Sequence, residues 1–285
     1  MLHDIVNNKH LLDVMNKKLK LGAVIVFATV LSTVAIGASD LLQGVGGGLF
    51  GSVIRSQDEP CPAGSELVLY GTHALCMDTF EASPSPLCAV TEVTNELETK
   101  RNIDVPACLP QSKADQMPWR YVSLTEAQQL CARAGKRLPT NEEWYKAVSG
   151  ITNTETCLLD EATEPLHTGA AGCVAPSGVH DLLGNVWEWI EGTVVDGTLD
   201  GRMLPPSGYV AGVDQNGVVS KTSEEPQSAF DEDYAWVHSD GVRGVLRGGF
   251  YDSGSDGGIY TINASVLPEL RTTGIGFRCV EDLYL

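Results

Sequence analysis

The feature that most constrains this chain is the placement of its eight cysteines: Cys61, Cys76, Cys88, Cys108, Cys131, Cys157, Cys173 and Cys279 all follow residue 60, and none precedes it. An even number confined to one side of an apolar segment is the pattern of disulfides formed outside the cytoplasm. No Cys-x-x-Cys and no Cys/His pair stands at zinc spacing, so thioredoxin-like and metal-thiolate readings gain no support.

The apolar segment is Leu21 to Ala38, LGAVIVFATVLSTVAIGA, an uncharged run close to the minimum that crosses a hydrocarbon core. Lys9, Lys17, Lys18 and Lys20 precede it. The positive-inside rule then keeps residues 1–20 cytoplasmic, makes 21–38 a transmembrane helix and sends the rest of a single-pass protein outside the cell membrane. Ala35 and Gly37 also satisfy the small-residue rule for a cleaved signal peptide, although the long basic leader favours a retained signal-anchor. Residues 39–58 are rich in glycine and expected to be a stalk, either flexible or packed at the membrane or between subunits. A globular domain is expected over 59–285.

That domain is acidic, since the whole chain carries a formal net charge of -18 despite its basic leader. Such a body repels phosphate backbones and disfavours nucleic-acid binding. It opens with two short apolar runs between Cys61 and Glu81 around a Gly-Thr turn, a hairpin that Cys61–Cys76 can staple, and Cys88 and Cys108 bracket a polar insertion. Ser123 with Glu126 forms a capping box ahead of a helix that Gly135 ends, and Pro139-Thr140 starts a second helix carrying Trp144 and Ala147.

Four motifs follow one another over this region: Ala134-Gly-Lys-Arg-Leu-Pro-Thr-Asn-Glu-Glu-Trp144, Gly184-Asn-Val-Trp-Glu-Trp189, Leu246-Arg-Gly-Gly249 and Gly276-Phe-Arg-Cys279. In order and approximate spacing they resemble the formylglycine-generating-enzyme, or sulfatase-modifying-factor, family. The resemblance implies an α+β, C-type-lectin-like fold with two helices on a twisted antiparallel sheet. It also implies a Cys131–Cys279 disulfide, which leaves Cys157 and Cys173 to close a short loop.

Oxygenase members of that family bind copper through two cysteines just past the Arg-Gly-Gly motif, and thiolates are the ligands that select Cu(I). Ser253 and Gly258 stand at those positions, and no cysteine lies between Cys173 and Cys279. Other relatives are iron enzymes with a histidine triad; here no H-x-x-x-H or H-E-x-x-H spacing occurs. The expectation is therefore a protein without enzyme activity. The resemblance further implies a structural Ca2+ held by Asp181, Gly184, Val186 and Glu188, with carboxylates at the ends and backbone carbonyls between them.

Residues 247–278 resemble the variable region of proteins diversified by diversity-generating retroelements, in which Asn codons are rewritten by adenine-specific errors. Asp252, Ser253, Asp256, Asn263, Ser265, Val266, Leu270, Thr272 and Gly274 are all reachable from Asn codons in that way, whereas Glu269 is not. Physically, the segment mixes small polar residues with aromatic ones, as antibody paratopes do. The expected ligand-binding set is Phe250, Tyr251, Asp252, Ser253, Ser255, Asp256, Tyr260, Asn263, Ser265, Leu270 and Thr272, presented to a protein or glycan ligand. The competing reading of the segment is an ordinary Gly/Ser/Asp-rich loop with a short strand over Ile259 to Ile262, and the insertion 191–245 is read as flanking the face or as solvated loop. The alternatives are a metal-dependent enzyme using Asp252 and Asp256, and a structural envelope protein.

Overall fold

Capping chemistry sets the helical frame. A computed structural model describes residues 60–152, 154, 156–157, 162–254 and 257–283. Among the described residues the α-helices are α1 (Glu96–Ile103), α2 (Leu124–Arg133) and α3 (Asn141–Val148). The expected capping box forms, the Ser123 hydroxyl accepting the Glu126 N–H while Glu126 accepts the Ser123 N–H, and Thr140 and Glu143 make a second one at the expected start of α3. The unforeseen helix, α1, lies inside the Cys88–Cys108 insertion, where the Asn95 side chain accepts from the N–H groups of Leu97 and Glu98.

The strands are β1 (Ser65–Tyr70), β2 (His73–Asp78), β3 (Ala82–Pro84), β4 (Pro110–Ser112), β5 (Trp187–Val195), β6 (Thr198–Leu199), β7 (Arg202–Met203), β8 (Gly208–Val213), β9 (Val219–Ser223), β10 (Tyr234–Val237), β11 (Val242–Arg247), β12 (Ile262–Ala264), β13 (Ile275–Phe277) and β14 (Val280–Asp282). The large sheet runs β7-β6-β5-β11-β12-β10-β8-β9, with β13 also on β5. It is mostly antiparallel, but β10–β12 and β13–β5 are parallel pairs. The expected β1–β2 hairpin forms, and β14 joins it.

Two sequence expectations change here. The strand placed at 259–262 begins only at Ile262, because the backbone of 258–260 bends to run its carbonyls past Arg247. The insertion 191–245 is not solvated loop: it supplies β6 to β10 and part of β5 and β11. The expected cytoplasmic segment 1–20, transmembrane helix 21–38 and stalk 39–58 lie outside the described residues. Among the described residues no helix is long and apolar enough to cross a membrane.

Two apolar clusters fill the body. One gathers Trp144, Leu182, Ile190, Val194, Val245 and Ile262, and the other Trp119, Leu130, Trp189, Leu246 and Phe277. Neighbours 189 and 190, like 245 and 246, go to different clusters, as the two-residue period of a strand requires. Four disulfides form, Cys61–Cys76, Cys88–Cys108, Cys131–Cys279 and Cys157–Cys173, as the sequence led us to expect. The third ties α2 to the chain just after β13.

Candidate functional site: a groove over the central strands

The motif residues build a buried frame. Arg278 is fully buried; its Nε donates to Glu188 Oε1 at 2.7 Å and its Nη2 to the His180 carbonyl at 2.8 Å. The other Glu188 oxygen accepts from Trp144 Nε1 at 2.9 Å. Arg247 lies over the Trp144 ring, 4.7 Å from its centre, and donates to the Ile259 carbonyl at 2.9 Å. Burial lowers the Arg247 pKa to about 10. Gly248 then turns the chain at φ +90, where a Cβ would meet the Leu182 carbonyl oxygen at 2.3 Å.

Above this frame two adjoining cavities form an open groove. The larger, about 350 Å³, is lined by Trp187, Leu246, Phe250, Tyr251, Asn263, Val266, Leu270, Thr272, Thr273, Gly274 and Ile275. The smaller, about 250 Å³, shares Trp187, Phe250 and Asn263 and adds Trp236, Asp252 and Ser253. The floor comes from strands, Trp187 on β5, Leu246 on β11, Asn263 on β12 and Trp236 on β10. The rims come from the turn after β11 and from the loop joining β12 to β13.

Both rims are fastened. In the turn, the Phe250 N–H donates to Ser253 Oγ at 2.8 Å and the Ser253 N–H to the Phe250 carbonyl at 3.1 Å. Backbone bonds hold the loop along its length, from the N–H groups of Gly244, Leu124, Tyr121 and Trp187 to the carbonyls of Val266, Pro268, Thr272 and Gly274 respectively. Arg271 donates through Nε to Glu126 Oε2 at 2.8 Å. It thereby pins the loop to the capping box of α2.

Of the expected ligand-binding residues, Phe250, Tyr251, Asp252, Ser253, Asn263, Leu270 and Thr272 line the groove. Ser265 lies beside it, donating through Oγ to Asn263 Oδ1 at 2.8 Å. Tyr260 does not face the groove: its ring packs against Phe230 and Tyr145 beside the other apolar cluster. Ser255 and Asp256 lie outside the described residues. Sequence reasoning did not place Trp187 or Trp236 in the binding set; the parallel β10–β12 pairing that brings Trp236 in has no local signal.

The second emptied cysteine position opens elsewhere. Gly258 lines a separate recess of about 170 Å³ with Thr154, Asp231, Asp233, Gly254, Gly257 and Ile259. A Cβ on Gly258 would stand 2.1 Å from Asp233 Oδ1. Asp233 Oδ2 accepts the Tyr260 N–H at 2.6 Å, while Oδ1 is buried without a hydrogen-bond partner. Burial pushes the Asp233 pKa up to about 7.

The expected calcium set is only partly open. Both Glu188 oxygens are engaged by Arg278 and Trp144, and Asp181 Oδ2 accepts the Gly169 N–H at 2.5 Å. Asp181 Oδ1 and Glu81 Oε1 are buried without hydrogen-bond partners, and burial raises the pKa of both carboxyls. Among the described residues no group of three or more His, Cys, Asp or Glu side chains is arranged to hold a metal ion.

The four sequence motifs thus meet in one buried Trp-Glu-Arg frame, with a disulfide from α2 to the chain just after β13. Over residues 89–283 the chain matches the sulfatase-modifying factor enzyme 1-like domain, and it belongs to that family. The inactive C-alpha-formylglycine-generating enzyme 2 of Mus musculus is 28% identical over 144 residues, 41% of this chain and 47% of that protein. The hercynine oxygenase of Mycobacterium tuberculosis is 36% identical over 90 residues, 25% of this chain and 21% of that one. The chain thus spans about half the length, or less, of these curated relatives. Among solved structures, the Major Tropism Determinant U1 variant matches with a TM-score of 0.43 and 19% identity, covering 78% of this chain and 53% of that one.

Proposed function

We propose that this is a surface-displayed, receptor- or adhesin-like binding protein whose groove is a diversified face for a macromolecular ligand. One observation carries the reading. Of the nine positions reachable from Asn codons, Asp252, Ser253, Asn263, Val266, Leu270, Thr272 and Gly274 line one groove. Arg271, on the same loop, holds it to α2 through Glu126. Variable residues on a fastened frame are what an adjustable binding face requires.

Two observations favour binding over the copper chemistry of the family. Ser253 and Gly258 open into different cavities, so side chains there would not meet at one ion. A cysteine at 258 would also collide with Asp233. The mouse relative, named as inactive, is in keeping with this. The four disulfides support display in an oxidising compartment. A structural Ca2+ belongs to the same proposal, with Asp181 Oδ1 as the carboxylate oxygen left open to it.

Binding of the labelled full chain to a panel of cell surfaces, read by flow cytometry, tests the groove. Filling it with Thr272→Trp should reduce binding at least about tenfold, as loss of an interface centre does. Leu69→Trp, on the exposed side of β1, should leave binding unchanged. Equal binding by both variants would reject the groove as the ligand face.

A further inference from the structure

The smaller cavity of the groove has a definite chemical character. Three aromatic side chains, Trp187, Trp236 and Phe250, form its walls, and Asp252 is the carboxylate at its exposed rim. The rings are held in place by one another. Trp187 meets Trp236 edge-on at 5.9 Å and 85°, Trp236 packs on Tyr234 at 4.9 Å, and Tyr234 meets Tyr209 at 5.2 Å. Phe250 is braced by Tyr251 at 4.9 Å.

Among the described residues no lysine, arginine or histidine lines either cavity of the groove, although Arg120 donates to Thr273 Oγ1 at 3.2 Å. Its formal charge is therefore negative, on a chain whose net charge is -18. Aromatic faces carry negative quadrupole potential, and a cation placed over them gains more as water is excluded. An acidic body adds long-range attraction for a basic partner and repulsion for an acidic one. The cavity is open to solvent and continuous with the larger apolar one, so it admits a side chain protruding from a surface rather than enclosing a free small molecule.

We propose that this cavity receives a basic side chain of a protein ligand, arginine in preference to lysine. The inference rests on the reading of the groove as the binding face and adds the chemistry of what enters it. The planar guanidinium can stack on an indole face while its N–H groups reach the Asp252 carboxylate; an ammonium presents only a point charge. The neighbouring Leu246, Val266, Leu270 and Ile275 side of the groove then takes apolar residues adjacent to that arginine.

The test pans a random dodecapeptide phage library against the immobilised full chain. Enriched peptides should carry arginine or lysine next to apolar residues and bind Trp236→Leu at least about tenfold more weakly, the scale of a desolvated cation–π contact. Replacing the arginine with citrulline, which keeps the shape and removes the charge, should weaken binding by a similar factor. Asp252→Asn, at an exposed position that does not threaten folding, should cost about two- to fivefold, as expected of a rim ion pair. Peptides that need Trp236 but lack a basic residue, or that tolerate citrulline, would overturn the basic-side-chain inference and leave the groove intact as a binding face. Peptides indifferent to Trp236→Leu, or no enrichment at all, would overturn both.

Discussion

Replacing Asp233 with asparagine isolates the perturbed carboxyl of the separate recess. Its side chain is buried, its Oδ1 has no partner, and its pKa lies at about 7 against the ordinary 3.8. Below pH 3.8 both the folded and unfolded chains hold the proton. Between 3.8 and 7 the unfolded chain releases it while the folded one keeps it, so stability falls as pH rises and levels off above 7. At 1.36 kcal/mol per unit, the full fall is on the order of 4 kcal/mol. Asparagine keeps an acceptor for the Tyr260 N–H but cannot titrate, so Asp233→Asn should lack this fall. Urea unfolding of the full chain, with disulfides intact and tryptophan fluorescence as the signal, measures both proteins from about pH 4.5 to about pH 7.5. Expected is a gap that shifts in favour of the variant by roughly 1 kcal/mol per pH unit across the window. Parallel curves would show that Asp233 titrates normally and that its recess is hydrated.

Other consequences follow from the frame. Glu188→Gln strands the buried Arg278 guanidinium and should cost about 3–5 kcal/mol in urea unfolding; a loss under about 1 would mean that the carbonyls around Arg278 suffice. The Cys131→Ala, Cys279→Ala pair opens a closure spanning 148 residues and should cost about 5 kcal/mol by chain entropy, read in the same assay. Millimolar calcium should raise the melting temperature of the wild type and not of Asp181→Ala, because only the former has a side-chain oxygen open to the ion. No shift in the wild type would leave Arg278 as the sole counter-charge of this region.

What the sequence made legible was local or tied to a motif. Capping boxes operate within four residues, so Ser123 and Thr140 fixed two helix starts. The nine codon-reachable positions foretold most of the groove's rims. The floor was hidden because strand pairing is non-local: Trp236 reaches the groove only through β10 lying beside β12. Tyr260 misled because its backbone bends around Arg247 instead of continuing a strand, which turns the ring toward Phe230. Glu188 looked like a free oxygen donor because its partner, Arg278, lies 90 residues away in sequence.

Sequencing the gene across many cells of one population tests the central claim most directly. A diversified binding face predicts amino-acid changes concentrated at codons 252, 253, 263, 270 and 272, with Arg247 to Gly249, Arg271 and Gly276 to Cys279 unchanged. Changes spread evenly over codons 247–278, or reaching the frame as often as the groove, would contradict it.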